Sequence, residues 1–320
     1  MPRFSQKHVI VLGVIAVFVL AGLVTAAISL SAPPGFPSDM TTHVPKDMSL
    51  SAAADKLKAQ GVIRSAFAYK VAVKLLHEGG GIQAGDYFFS KPESALRIAY
   101  RMAYGVQGLK QIKVTVPEGL ASYDIARLLA KNIPGFDSKG FLALAKPLEG
   151  YLFPDTYFFY ENVMPQGAID AMSANFDRQI APFTASINLS GHSSKDIITM
   201  ASLVEEEATS SADRRIIAGI LWKRLAAGMA LQVDPPFFYL FGKKSSELTQ
   251  SDLATSSPYN LYKHAGLTPT PIDNPSIDAI EAVLSPTKTD YWYYLSDSKG
   301  VTHYSQTFDQ HVANERKYLQ

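Results

Sequence analysis

The chain has 320 residues, 47% of them hydrophobic and 18% charged, with a formal net charge of +1 and no cysteine. That length holds one large domain or two ordinary ones, and the apolar share excludes intrinsic disorder. Lys and Arg are scattered rather than clustered, which argues against a nucleic-acid groove, and without cysteine there is no disulfide, thiol nucleophile or zinc–thiolate site.

Residues 9–30 read VIVLGVIAVFVLAGLVTAAISL, with no charge and only Thr25 and Ser29 polar. At about 1.5 Å per residue they span roughly 33 Å, enough to cross a bilayer core of about 30 Å. Arg3 and Lys7 precede the segment and the next basic residue is Lys46, so the positive-inside rule puts residues 1–8 in the cytoplasm and the rest of the chain outside it. A cleaved signal peptide is the alternative, but its apolar stretch is usually shorter. The expected location is the cytoplasmic (inner) membrane, crossed once. The proline-rich residues 31–41 read as a stiff linker.

Two blocks follow. Residues 42–111 contain an extended piece, a turn and an amphipathic helix with Ala53, Leu57 and Val62 toward one side, then a strand (GDYFF) and another helix. IKVTVPEGLASYDIARLLAK, from Ile112, repeats the strand–turn–helix order, with Glu118-Gly119 standing where Lys46-Asp47 stand in the first copy. A small mixed sheet carrying helices is expected. Residues 112–320 form the second block, which ends in a hairpin signal, YWYYLS through Asp297-Ser298-Lys299-Gly300 into VTHYS. Helices and strands mix without strict alternation, so the expected class is α+β.

SSKDIITMASLVEEEA (Ser193 to Ala208) is the segment richest in chemistry. Ser193 and Asp196 have capping-box spacing. At about 100° per residue, Ile197, Met200, Ala201, Val204 and Ala208 share a buried face. Glu206 falls opposite, in solvent, while Glu205 and Glu207 fall on the two shoulders, where partial desolvation raises a carboxyl pKa toward that of a general acid. Helical geometry does not choose between Glu205 and Glu207. The next helix, Ala212 to Met229, offers Arg215 and Arg224 as partners for a glutamate or a loop. LQVDPPFFYLFG reads as a fixed, extended turn that places Gln232, Asp234 and Tyr239. SSPYNLYKHAGLTPTPIDNP and EGYLFPDTYFFY are loops dense in hydroxyls, amides and aromatic faces, the groups a sugar polymer requires. His303 and His311 are weak candidates for a metal, and the nucleophile-elbow, P-loop and dinucleotide fingerprints are missing.

Taken together, VPEG, EGYLFPDTY, ASLVEEEA, LQVDP, SPYNLY, GLTPTPIDNP and the late THY resemble, in order and over nearly the whole chain, the endolytic murein transglycosylases, the YceG-like or MltG family. The resemblance implies a LysM-like module over 42–111 and a catalytic domain over 112–320. It implies cleavage of the bond between N-acetylmuramic acid and N-acetylglucosamine in nascent peptidoglycan, leaving 1,6-anhydro ends. It points to Glu205, the first acid after the Ala-Ser-Leu-Val run, as the acid and then the base. Matching motifs make Tyr151, Asp155, Gln232, Asp234, Tyr259 and Asn260 candidate substrate-binding residues. No cofactor, metal or nucleic acid is implied; the partners are glycan strands, with peptidoglycan synthases as candidate neighbours. Departures from the family pattern are Glu206 for Lys, Lys223 for Asn, Thr270 for Gly and Tyr304 for Phe. Two rival functions are a hydrolytic muramidase with Asp234 or Asp155 as second carboxylate, and a membrane-tethered glycan-binding protein without catalysis.

Overall fold

The structure is a computed structural model that describes residues 6–79, 81–243 and 245–319. Arg3, half of the charge argument for orientation, lies outside the described residues, as does the Lys7 side chain. The chain divides into two compact units, residues 1–110 and 111–320.

The first unit opens with α1 (Gln6–Leu30), three residues earlier than the apolar run suggests. Its Leu12–Leu30 stretch has a mean hydropathy of 2.5 and no burial, long and apolar enough to cross a membrane or serve as a signal. Strand β1 (Met40–Val44) is followed by α2 (Leu50–Ala59), α3 (Ala66–Leu76), β2 (Gly85–Phe89) and α4 (Ala95–Ala103). Ser49, Ser65 and Ser94 cap the three helices, each accepting from the backbone N–H three residues on. β1 pairs antiparallel with β2, Met40 opposite Phe89 and Val44 opposite Gly85. Leu57, Val62, Tyr69, Val73, Ile98 and Met102 fill the core between strands and helices.

The second unit starts with β3 (Gln111–Thr115), α5 (Ser122–Asn132), α6 (Ser138–Ala145), β4 (Thr156–Tyr160), α7 (Pro165–Ile180) and α8 (Thr184–Leu189). β3 and β4 are antiparallel, Gln111 opposite Tyr160, over a core that includes Ile125, Leu129, Phe141, Leu152 and Met172. The expected single mixed sheet is corrected here: the described strands form three separate antiparallel pairs, because β1 and β3, the equivalent strands of the repeat, each pair with a later strand of their own unit.

The remainder is helical around one central rod. α9 (Ser194–Glu207) begins at the expected capping box of Ser193 and Asp196. Eight successive residues, Ile197 to Val204, are buried, a wider seal than one amphipathic face. The reason is that α10 (Ser211–Ala226), α11 (Pro235–Phe241) and, beyond α12 (Gln250–Leu253), α13 (Ile277–Leu284) pack around it. β5 (Tyr293–Ser296), β6 (Thr302–Ser305) and α14 (Phe308–Tyr318) complete the unit, with Asp297 accepting from the N–H groups of Lys299 and Val301 in the hairpin turn. One local expectation is corrected: Pro235 and Pro236 do not extend the chain but occupy the first two positions of α11, where the missing proline N–H would have no helical partner in any case.

Candidate active site

Three motif loops meet at Asn274. Its amide donates to the Leu120 carbonyl and, at 3.3 Å, to Glu149 Oε1, while its Oδ1 accepts from Leu152 N–H. Its backbone exchanges hydrogen bonds with the VPEG turn, Gly119 N–H to Asn274 O and Asn274 N–H to Leu120 O. Gly150 lets the loops close: at φ +88° a Cβ there would stand 2.5 Å from Pro271 Cγ. Gly119 plays the same part beside α9, where a Cβ would come within 2.7 Å of Glu206 Oε1.

The three glutamates at the end of α9 have different surroundings. Glu205 is enclosed: Arg214 Nη2 donates to its Oε1 at 2.6 Å, and Ser276 donates to its Oε2 through backbone N–H at 2.9 Å and Oγ at 2.5 Å. Arg214 also reaches Asp278 Oδ2 and the Ala208 carbonyl, so this set ties the end of α9 to α10 and α13. Both Glu205 oxygens thus accept hydrogen bonds, Oε1 in an ion pair with Arg214 and Oε2 from Ser276. Arg214 holds Glu205; of the two arginines offered as partners for a glutamate or a loop, Arg215 pairs at 3.6 Å with Glu281, and Arg224 donates to the carbonyls of Trp292 and Leu231. A position on the buried stripe of α10 was the available signal for Arg214, since an arginine there requires an acid.

Glu206 is exposed, as its helical position predicts, yet it borders Gly119, and burial and the neighbouring Glu205 charge push its carboxyl up. Glu207 retains some exposed surface, but its carboxyl is enclosed. Tyr294 donates to its Oε2 at 2.9 Å. Burial raises the carboxyl to about 7; the Tyr294 bond and Arg224 pull it down, while Asp234 and Glu206 push it up. This acid therefore exchanges its proton near neutral pH.

Glu206 and Glu207 line a cavity of about 890 Å³ together with Gln232, Asp234, Arg224, Tyr262 and the aromatic rings of Phe238, Tyr293, Tyr294 and Phe308. Tyr262 OH donates to Asp234 Oδ1 at 2.7 Å, and Gln232, exposed, takes the left-handed backbone (φ +51°) that turns its side chain out of the preceding extended run. Of the expected binding residues, only Gln232 and Asp234 line this cavity. Tyr259 is half-buried against Tyr239, its hydroxyl within 2.7 Å of Thr270 Oγ1. Asn260 is fully buried and its amide is spent on the Leu253 and Thr255 carbonyls and the Tyr262 N–H, which makes it a loop brace. Tyr151 packs edge-on against Phe176, and Asp155 accepts from Thr156 N–H and Asn175 Nδ2 at the start of β4.

Two further carboxyls were not foreseen. Glu149 is buried, accepts from Ser122 N–H at 2.9 Å and Tyr239 OH at 3.4 Å, and is pushed up to about 7 by burial. It caps α5, whose Ala121 lacks a capping side chain. Asp273 is 2% exposed and neither oxygen has a hydrogen-bond partner among the described residues; burial, then Glu206, Glu205 and Glu149, raise it well above the ordinary carboxylate range. Of the departures from the family pattern, Lys223 lies over the Trp292 ring and donates to the Thr289 carbonyl, away from Glu205, and the Tyr304 hydroxyl bonds Asp213.

An open polar and aromatic cavity with one proton-exchanging acid in its wall is the equipment of an enzyme acting on a polyhydroxylated chain. A model described as the YceG-like family matches residues 42–317. A Bacillus subtilis (strain 168) protein named endolytic murein transglycosylase is 34% identical over 305 residues, covering 87% of this chain and 84% of that protein. A Streptococcus pneumoniae (serotype 2, strain D39) protein of the same name is 36% identical over 178 residues, 54% of this chain and 32% of that longer protein. The crystal structure of a yceG-like protein from Listeria monocytogenes superposes with a TM-score of 0.59 at 30% identity, covering 86% of this chain and 99% of that one. The chain belongs to the YceG-like family.

Proposed function

We propose that this chain is a membrane-anchored lytic transglycosylase that cleaves peptidoglycan glycan strands between N-acetylmuramic acid and N-acetylglucosamine. The relatives' name supports the reaction class. The observation that carries the chemistry is Glu207, an enclosed carboxyl titrating near pH 7 on the wall of the large cavity. Protonated Glu207 gives its proton to the glycosidic oxygen as the C–O bond breaks and oxocarbenium character develops. The 6-hydroxyl of the muramic acid attacks the anomeric carbon, and the Glu207 carboxylate takes the hydroxyl proton. The product is a 1,6-anhydro end and the acid is regenerated. One carboxyl suffices because the nucleophile belongs to the substrate and arrives at high effective molarity. Gln232 and Asp234, on the same cavity, are the subsite residues best placed to bind sugar hydroxyls.

Glu205, the acid to which the resemblance points, is the second reading. It is favoured by Glu118, a neighbouring carboxyl raised by burial and by the Glu205 charge, which offers a paired-acid arrangement on the opposite shoulder of α9. Against it, the Glu205 oxygens face Arg214 and Ser276, and Glu205 does not line the large cavity. The N-terminal module of residues 42–111 fits a LysM-like glycan-binding role, α1 a single-pass anchor with residue 1 in the cytoplasm, and peptidoglycan synthases protein neighbours.

The test is mass spectrometry of muropeptides released from purified peptidoglycan by the full chain in detergent, beside Glu207→Gln and Glu205→Gln. Anhydro ends from the wild type, undetectable with Glu207→Gln and reduced but present with Glu205→Gln, are expected. Loss with Glu205→Gln alone transfers the acid role to Glu205. Reducing ends make the enzyme a hydrolase, with Asp234 as the second carboxylate. Strand binding without cleavage leaves a binding protein.

A further inference from the structure

α3 has two apolar faces. Tyr69, Ala72 and Val73 turn into the core of the first unit. Phe67, Val71 and Leu75 stand outside, 75%, 39% and 82% exposed, at i, i+4 and i+8 and so spread over about 80° of the helix surface. Lys70 and Lys74 flank this stripe on one side, about 60–100° round from Val71. α4, packed beside α3, repeats the spacing with exposed Leu96, Tyr100 and Tyr104. Tyr104 OH donates to the Leu76 carbonyl at 2.7 Å, which fastens the end of α4 to the end of α3.

What covers this face is indicated by its neighbour. A groove of about 540 Å³ has Phe67, Val71, Leu75 and Leu96 along one side and Gly22, Thr25, Ala26, Ser29 and Leu30 of α1 along the other. Ala68 and Ala72 line it together with Gly22 and Ala26, so small residues from both helices border the groove. Leu12–Leu30 is roughly 28 Å long, about one hydrocarbon core, and Gly22–Leu30 is its last 13 Å or so. A helix lying against that stretch lies at the depth of one leaflet and its headgroups.

We infer that the exposed α3–α4 face is a lipid-contacting surface: Phe67, Val71, Leu75 and Leu96 enter the leaflet on the C-terminal side of α1, with the lysines reaching headgroup phosphates and the tyrosines at the interface. This rests on the reading of α1 as a membrane-crossing anchor. Charge and chemistry agree with it: cationic side chains carry apolar stems that reach from an acyl layer to phosphate, and tyrosine favours the boundary between lipid and water. The first unit is then held on the bilayer by two contacts rather than swinging on a linker.

The lack of any native cysteine permits a direct test on the full chain. Val19→Cys, Phe67→Cys, Val71→Cys, Leu75→Cys and, on an exposed face of α2, Asp55→Cys each carry a nitroxide in vesicles of phosphatidylethanolamine and phosphatidylglycerol. Accessibility to oxygen and to a water-soluble nickel chelate is read for each. High oxygen and low nickel access at 67, 71 and 75, matching position 19 and several-fold different in ratio from position 55, are expected. Lipid access at 19 with free nickel access at 67, 71 and 75 overturns the inference while α1 still crosses the bilayer. Low access to both reagents at 67, 71 and 75 overturns it in favour of a protein cover, a second copy being the simplest. Nickel access at 19 removes the anchor reading and this inference with it.

Discussion

Glu205 and Glu207 are two residues apart on one helix and have opposite surroundings, which decides what each can do. Glu205 accepts three hydrogen bonds from Arg214 and Ser276, which brace the end of α9 against α10 and α13. Glu207 has one phenolic donor, Tyr294, and is pushed up to about 7 chiefly by burial. The Tyr294 hydroxyl favours the charged form, so Tyr294→Phe raises the Glu207 carboxyl further. An acid that must be protonated loses activity as pH rises past its pKa, so the falling alkaline limb of the rate profile moves to higher pH in Tyr294→Phe, with lower kcat because the carboxyl loses its orientation. Profiles of anhydro-muropeptide release between pH 5 and 9 measure this; an unmoved limb contradicts Glu207 as the acid. The wheel reduced the three glutamates to two shoulders, but the choice between shoulders depends on Arg214, Ser276 and Tyr294. They stand 9 to 87 residues from the glutamates they touch, beyond the reach of periodicity.

Elements legible in the sequence share one property: their signals are local. The capping box of α9, the hairpin turn at Asp297 and the apolar run of α1 all lie within a few residues of what they determine. The strand pairing was not legible, because β1 pairs with a strand about 45 residues on and β3 with β4 across two helices. The Pro-Pro pair is ambiguous in sequence, since its restriction on φ suits an extended turn and a helix start equally well. The motif loops are a different case: their strings are recognisable, but that EGYLFPDTY and GLTPTPIDNP touch each other is visible only in the fold, where Asn274 bonds Glu149 and Leu152 and Gly150 packs on Pro271. Gly150→Ala tests that junction. A Cβ there meets a rigid proline ring and Ile198 Cγ2 while the backbone keeps φ +88°, and strain together with overpacking costs about 2–4 kcal/mol. Thermal unfolding of the full chain in detergent should fall by several degrees, and a Tm within a degree of wild type would show that the loops part without cost.

Across the whole molecule, the second unit carries more buried acid than its ion pairs neutralise. Arg214 serves Glu205 and Asp278; Glu149, Glu207 and Asp273 have no ion pair of that kind among the described residues. Each is raised, so the folded state binds protons that the unfolded chain releases at lower pH. The stabilisation is fully present below the unfolded pKa, about 4.5 for glutamate, and is lost as pH rises through the folded value. For Glu149, folded near 7, the loss above neutrality is on the order of 3 kcal/mol. Asp273, raised well above its ordinary range by burial and by the neighbouring carboxylates, adds a loss of the same sign. Denaturant unfolding should therefore show the protein more stable at pH 5 than at pH 8. Asp273→Asn, which keeps the shape and cannot ionise, should make that slope shallower. The glycan-cleaving reading gives this imbalance a use: a wall of carboxyls that disfavour one another's charge keeps a proton available at the acid facing the cavity. If Asp273→Asn leaves the slope unaltered, Asp273 is not the group that titrates, and the loss belongs to Glu149 and Glu207, which Glu149→Gln then separates.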